Sequence, residues 1–104
     1  MGMKHLISIT ECLGIRETAR GSSEVCATAD ANYDEATHRV SVKLDSYLRP
    51  VPARAGAEPV HEPWLPAAQT VNESISQEEG DAIARDVFHS WINRVRKAMP
   101  PASH

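Results

Sequence analysis

The stretch SQEEGDAIARDVFHSWINRVRKAM, residues 76–99, has the periodicity of one long amphipathic helix. Its apolar side chains recur every three or four positions, as expected at roughly 100° per residue. They are Ile83, Ala84, Val87, Phe88, Trp91, Ile92, Val95, Ala98 and Met99. The arc they form spans about 180°, which is wider than the ~100° stripe of an ordinary surface helix. We therefore expect either a helix that lies deep against a sheet or one that shares part of this face with another chain.

Both ends of this helix carry local signals. Ser76 and Glu79 are spaced as a capping box, in which a hydroxyl and a carboxylate satisfy free amides of the first turn. Pro100 ends the helix, because the residue before a proline is disfavoured in the α region. Gly80 is the one local cost, about 1 kcal/mol relative to alanine. The capping signals predict a helix that begins near residue 76.

A β-hairpin is predicted upstream of the helix. Residues 38–48 alternate apolar and polar side chains, with Val40, Val42, Leu44 and Leu48 on one face. Residues 24–30 alternate in the same way, and this period of two is typical of strands with one wet face. The turn chemistry of residues 32–35 is expected to join them. The small side chains of the first strand leave volume that Phe88 and Trp91 can fill.

The N-terminal segment is ambiguous between strand and helix. Within residues 4–19, Leu6, Ile9 and Leu13 fit a helical spacing, whereas Ile7 and Ile9 alternate with Ser8 and Thr10. The β-branched residues favour a strand, bent at Gly14. Residues 20–23 would then turn the chain into the hairpin and complete a three-stranded meander. An all-helical N-terminus is the main rival.

Regular structure is expected to stop between residues 49 and 68. Five prolines in this segment fix φ and remove amide donors. The segment also contains Trp64 and Leu65, for which two interpretations stay open. They can be buried anchors of a long crossover, or His61-Glu62-Pro63-Trp64 can form an exposed aromatic contact patch.

These elements predict an α+β fold, a small antiparallel β-meander of about three strands packed against one long C-terminal helix. We expect a single domain over residues 1–104. Its parts are the β-meander (1–48), the proline-rich crossover (49–74), the helix (75–99) and a short tail (100–104).

Composition limits the classes of partner. The formal net charge is −3 and the pI is about 5.9. The basic cluster of Arg94, Arg96 and Lys97 is explained by its place at the C-terminal end of the helix, where it complements the dipole. Nucleic-acid binding is therefore not expected. No apolar stretch approaches the ~18 residues needed to cross a bilayer, and the first residues lack the pattern of a signal peptide. We expect a soluble, cytoplasmic chain that binds no membrane.

No chemical motif rises above the background. Cys12 and Cys26 are too far apart for a CxxC motif and are expected to be free thiols in a reducing cytosol. A hairpin would nonetheless allow the two to approach each other. The five histidines lack zinc-site spacing, and the five glycines never cluster into a phosphate-binding loop. The chain is accordingly predicted not to be an enzyme, and to have no catalytic residue, no cofactor and no metal.

The function favoured by these observations is a protein-interaction module that binds a protein partner or itself as a homo-oligomer. The predicted interaction surface is Trp64, Leu65, Phe88, Trp91, Ile92 and Val95. The alternative is a small-ligand-binding protein or a thiol/His enzyme with a site near His38, His61 and Trp64, in which Cys26 and His38 would be cross-strand neighbours. A Trp91→Glu substitution distinguishes two interpretations of the helix face. It should dissociate an oligomer if the face is shared with another chain, and it should unfold the protein if the face is core.

Overall fold

The computed structural model describes residues 2–18, 21–50, 62–63 and 65–98. These residues form five strands followed by one helix. The elements are β1 (Met3–Thr18), β2 (Gly21–Asp34), β3 (Arg39–Pro50), β4 (Glu62–Pro63), β5 (Ala68–Glu73) and α1 (Gln77–Ala98).

All pairings in the sheet are antiparallel. The order is β1-β2-β3, and β4 and β5 lie end to end along the outer edge of β3. β4 pairs with the C-terminal part of β3, and β5 pairs with residues 39–44. The sheet is therefore four strands wide, and the predicted α+β fold is confirmed with one strand more than expected. The fourth position is made by β4 and β5, which both lie within the predicted crossover and which the sequence did not reveal.

The N-terminal segment is a strand, as the β-branched residues favoured, and the all-helical rival is wrong. β1 pairs with β2 along its length, with register shifts between His5 and Ile7 and between Cys12 and Ile15. Gly14 lies in the second shift with φ of 129°, a conformation that other residues rarely adopt. The predicted bend at Gly14 is thus a β-bulge.

The β2–β3 hairpin is confirmed, but its turn lies later than predicted. Strand pairing continues to Asp34 opposite Arg39, and the turn occupies residues 35–38 rather than 32–35. Tyr33 explains the shift, because it is buried opposite Val40 and extends the paired region. His38 then closes the turn with φ of 54°.

The core lies between one face of the sheet and α1. Its buried side chains are Ile7, Val25, Ala27, Ala29, Ala31, Tyr33, Val40, Val42, Leu44, Ala84, Phe88, Trp91, Ile92 and Val95. The three alanines of β2 leave room for the large aromatic side chains of the helix, as expected. Trp91 Nε1 also donates a hydrogen bond to the carbonyl oxygen of Asp45, 2.9 Å away. This bond ties the middle of α1 to β3.

The helix begins with the predicted capping box. The Glu79 amide donates to Ser76 Oγ (3.1 Å), and the Glu79 carboxylate accepts from the amide of Ile75 (3.1 Å). The carboxylate therefore reaches one residue further back than in the standard motif, which closes on the cap residue itself.

We expect Gly80→Ala to raise the free energy of unfolding by up to about 1 kcal/mol, the difference in helix propensity. An added Cβ would meet Leu6 Cδ1 at 3.4 Å and atoms of Ser74 and Tyr33 at 3.5 Å, which are ordinary contacts. Urea denaturation measures the change. Gly80→Leu is the contrasting variant, since its longer side chain overfills the same space and should destabilise. Stabilisation by leucine would contradict this packing.

Candidate interaction surface

Four of the six residues predicted to form an interaction surface lie in the core instead. Phe88, Trp91, Ile92 and Val95 are at most 5% exposed and pack against the sheet. They are buried because the broad apolar arc of α1 covers β1, β2 and β3 together. Leu65 is half-buried, and its amide donates to Ser46 Oγ at 3.0 Å. Trp64, like His61, lies outside the described residues, so the contact patch proposed around it is not addressed.

The thiol–histidine arrangement is not formed. Cys26 is opposite Tyr47 in the β2–β3 register, whereas His38 lies in the turn at the far end of this hairpin. The prediction that Cys26 and His38 are cross-strand neighbours is therefore wrong, because the later turn moves His38 away. Instead, His38 Nδ1 lies 3.0 Å from the hydroxyl oxygen of Tyr33. The Tyr33 hydroxyl donates a hydrogen bond to the carbonyl oxygen of Ser74, 3.2 Å away.

The two cysteines form a disulfide, so the expectation of free thiols is also wrong. Cys12 and Cys26 are register partners on β1 and β2, and a bond joins their sulfurs. The pairing of these strands brings the two side chains to the same place on the sheet. The sequence left this contact open, and the confirmed β1–β2 hairpin supplies it.

The two long edges of the sheet differ in how they are protected. Strand β1 has two register shifts, and it carries the exposed charged residues Lys4 and Glu11. Bulges and charges of this kind are the usual means by which edge strands avoid pairing with another chain. The β1 edge is therefore a poor template for association.

Strand β5 has less protection, because its one charged residue is Glu73 at the C-terminal end. Its pairing with β3 runs without a shift from Ala68 to Glu73, and residues 68–72 carry no charge. Val71 is 55% exposed. In the part of the chain that the structure describes, β5 pairs only with β3. Among the described residues, the backbone donors and acceptors on one side of this strand therefore have no strand partner.

A groove of about 320 Å³ separates β5 from α1. Its apolar side chains are Leu44, Val87 and Trp91, and its polar ones are Thr70, Asp86, Ser90 and Arg94. The Arg94 guanidinium lies over the Trp91 ring, 5.7 Å from its centroid, at cation–π distance. Asp86 and Arg94 are both exposed. The groove therefore combines an apolar floor with one acidic and one basic side chain on its helical wall.

Thr70 is the unusual residue in this groove. Among the described residues, its Oγ1 is the one buried side-chain oxygen or nitrogen without a hydrogen-bond partner. A buried hydroxyl left unpaired costs about 1–3 kcal/mol. Because this oxygen is already buried within the chain, a partner cannot reach it, and the unpaired hydroxyl is a local cost of the packing between β5 and α1.

A larger hollow of about 670 Å³ lies on the sheet face opposite α1. Small and charged side chains of the four strands line it, among them Thr10, Thr28, Asp30 and Lys43. It is a wide depression rather than the largely apolar cleft typical of small-molecule sites. It therefore supports the small-ligand alternative less well than the groove supports an interface.

Sequence reasoning missed these groove residues. From the sequence, Asp86 had no predicted role, and Arg94 belonged only to the basic cluster at the C-terminal end of the helix. Their spacing around Ser90, four residues on each side, was a readable signal of one continuous helical stripe. The unpaired hydroxyl of Thr70 had no sequence signal, because it depends on how β5 packs near α1.

Within the described residues, no helix has both the length and the hydropathy required to cross a bilayer. The comparisons with protein-family models, with curated proteins and with solved structures found no match. The groove and the edge strand beside it are therefore the features of this chain that indicate a function.

Proposed function

We propose that this chain is a non-catalytic interaction module that self-associates through β5 and the adjacent face of α1. The observation that carries this proposal is the edge strand β5, which pairs with β3 without a bulge and has no charged residue between positions 68 and 72. A second copy offers the same edge, because a two-fold axis brings identical surfaces together.

Antiparallel pairing of two β5 strands about Thr70 is self-complementary. Thr70 is then opposite Thr70 of the partner subunit in the strand register. Gln69 faces Val71 of the partner subunit, which covers part of an exposed apolar side chain. No like charges are opposed between residues 68 and 72. The two sheets join into one continuous sheet of eight strand positions.

The helices support the same axis. Asp86, Ser90 and Arg94 are spaced four apart and line one groove with Thr70. Around a two-fold axis near Ser90, Asp86 faces Arg94 of the partner subunit, and this contact occurs twice. The strand pairing and the ion pairs are both arranged around the groove, so one axis can serve both.

The proposal includes a protein as the partner and the cytoplasm as the compartment. The low density of basic charge favours a protein partner over nucleic acid. We place the chain in the cytoplasm, where thiols are mostly kept reduced. The Cys12–Cys26 disulfide is then the oxidised form of a reversible pair.

Charge reversal across the groove tests the interface. We expect Asp86→Arg alone, and Arg94→Asp alone, to weaken dimerisation at least about tenfold, because each places like charges opposite one another; a tenfold change corresponds to about 1.4 kcal/mol. The double variant Asp86→Arg/Arg94→Asp restores opposite charges and should regain most of the affinity. The dissociation constants are measured by sedimentation equilibrium.

The matched control is Arg85→Asp on the same helix. Arg85 forms an exposed pair with Asp81, at 2.8 Å, and does not line the groove. This variant should dimerise like the unmodified chain. Equal weakening by the control, or a double variant as weak as the single ones, would show that α1 does not contact its counterpart in this way.

A further inference from the structure

We propose that the chain, once its disulfide is reduced, binds a zinc-class divalent cation through Cys12, Cys26 and Glu24. The Sγ atoms of the two cysteines and a carboxylate oxygen of Glu24 all lie within 4.8 Å of one another. This site is separate from the β5–α1 groove and does not rest on the proposed dimer.

Strand geometry brings the three donors together. Glu24 and Cys26 are two positions apart on β2, so their side chains point to the same face of the sheet. Cys12 is opposite Cys26 on β1. The backbone hydrogen bonds of these two strands hold the donors in place whether or not the sulfurs are bonded.

The donor set suits zinc. Zinc binds cysteine thiolates and the carboxylate oxygens of Asp and Glu, and it usually takes four ligands. Three come from the chain, and the fourth position is left for water. Two thiolates, one carboxylate and a divalent cation leave one net negative charge. Arg49, which pairs with Glu24 in the oxidised form, lies beside it and offsets that charge.

The chemical steps balance without an unnamed reactant. A small dithiol reductant transfers two electrons and two protons to the Cys12–Cys26 bond, and is itself oxidised to a disulfide. The cation then displaces the two thiol protons and binds both sulfurs. The disulfide and the metal are therefore mutually exclusive occupants of the same two residues.

Cobalt(II) reports on such a site. The full chain is reduced with a dithiol, freed of reductant without oxygen, and titrated with cobalt(II). We expect one ion per chain, with thiolate-to-cobalt charge-transfer absorption in the near ultraviolet and its loss when zinc(II) is added. The oxidised chain should show no such absorption under the same conditions.

Substitutions assign the ligands. We expect Cys12→Ala or Cys26→Ala to abolish the charge-transfer band, and Glu24→Gln to weaken cobalt binding at least tenfold, since even outer residues of metal sites cost 10–100-fold. Glu73→Gln, which removes an exposed carboxylate of β5, is the control and should leave affinity unchanged. Equal affinity of Glu24→Gln and the unmodified chain would overturn the three-ligand site.

Because reduction can unfold the chain, circular dichroism is recorded before and after cobalt is added, to show whether the reduced chain is folded. A reduced chain that is folded, or that the cation refolds, supports the site when the charge-transfer band appears. A reduced chain that shows no band, folded or not, overturns it. The groove variant Asp86→Arg should bind cobalt normally, so failure of the dimer and failure of the metal site are distinguishable.

Discussion

Trp91→Ala should lower the free energy of unfolding by about 3–5 kcal/mol, the usual cost of removing a buried tryptophan. Trp91 is 3% exposed, and its ring packs in the core. Its Nε1 also donates a hydrogen bond to the carbonyl oxygen of Asp45. The substitution leaves a cavity above the small residues of β2 and an unpaired carbonyl on β3. Chemical denaturation followed by far-ultraviolet circular dichroism measures the loss.

The control for this substitution is Ile75→Ala. Ile75 is also a large apolar residue, but it is 84% exposed. Its replacement should change the free energy of unfolding by less than about 0.5 kcal/mol. A loss of similar size at both positions would mean that Trp91 is not a core residue.

The same burial decides how Trp91→Glu behaves. Small domains have only about 5–15 kcal/mol of stability in total. A carboxylate placed in this core would lose most of its hydration, and a pair with Arg94, which is exposed and lies over the Trp91 ring, would offset only part of that cost. We therefore expect Trp91→Glu to unfold the chain rather than to dissociate a folded dimer. A folded monomeric variant would place Trp91 in an interface.

Removing the disulfide with Cys12→Ala/Cys26→Ala should cost about 3 kcal/mol, as expected for a cross-link that closes a loop of about 15 residues. The two cysteines are separated by 14 positions. The cross-link restricts the unfolded chain, so its loss mainly stabilises that state. Guanidinium denaturation should show a lower midpoint for the double variant than for the oxidised chain.

The reduced, unsubstituted chain is the matched control for this experiment. In metal-free buffer it lacks the same cross-link but keeps both side chains, so its stability should agree with the double variant to within about 1 kcal/mol. Unchanged stability on reduction, together with two alkylatable thiols before reduction, would contradict the disulfide.

The parts of the fold that the sequence predicted are those with strong periodic signals. The alternation of Val40, Val42 and Leu44 identified both the strand and its buried face. Ser76 and Glu79 located the start of α1. In each case local chemistry and tertiary packing require the same conformation, which is why a single sequence was sufficient.

β5 could not be predicted in the same way. Residues 68–73 read AQTVNE, with mostly polar side chains and no apolar alternation. The strand forms because the β3 backbone offers an edge to pair with, and this is a property of the tertiary structure. The disulfide likewise depended on the β1–β2 register, which sequence spacing alone did not fix.

The site was predicted least well. The hydrophobic arc of α1 was one reason to predict an interface, but most of its side chains are buried against the wide sheet. What remains for a partner is the polar stripe of Asp86, Ser90 and Arg94 beside an edge strand. Its role follows from where the helix lies relative to β5, which the helix sequence does not contain.

The most direct measurement of the central proposal is sedimentation equilibrium of the oxidised, metal-free chain over a wide range of concentrations. If β5 and α1 pair about a two-fold axis, the apparent mass should rise from 11.4 kDa towards twice that value and stop there. A mass that stays at 11.4 kDa at the highest concentration would contradict the proposal, as would a mass that keeps rising without limit.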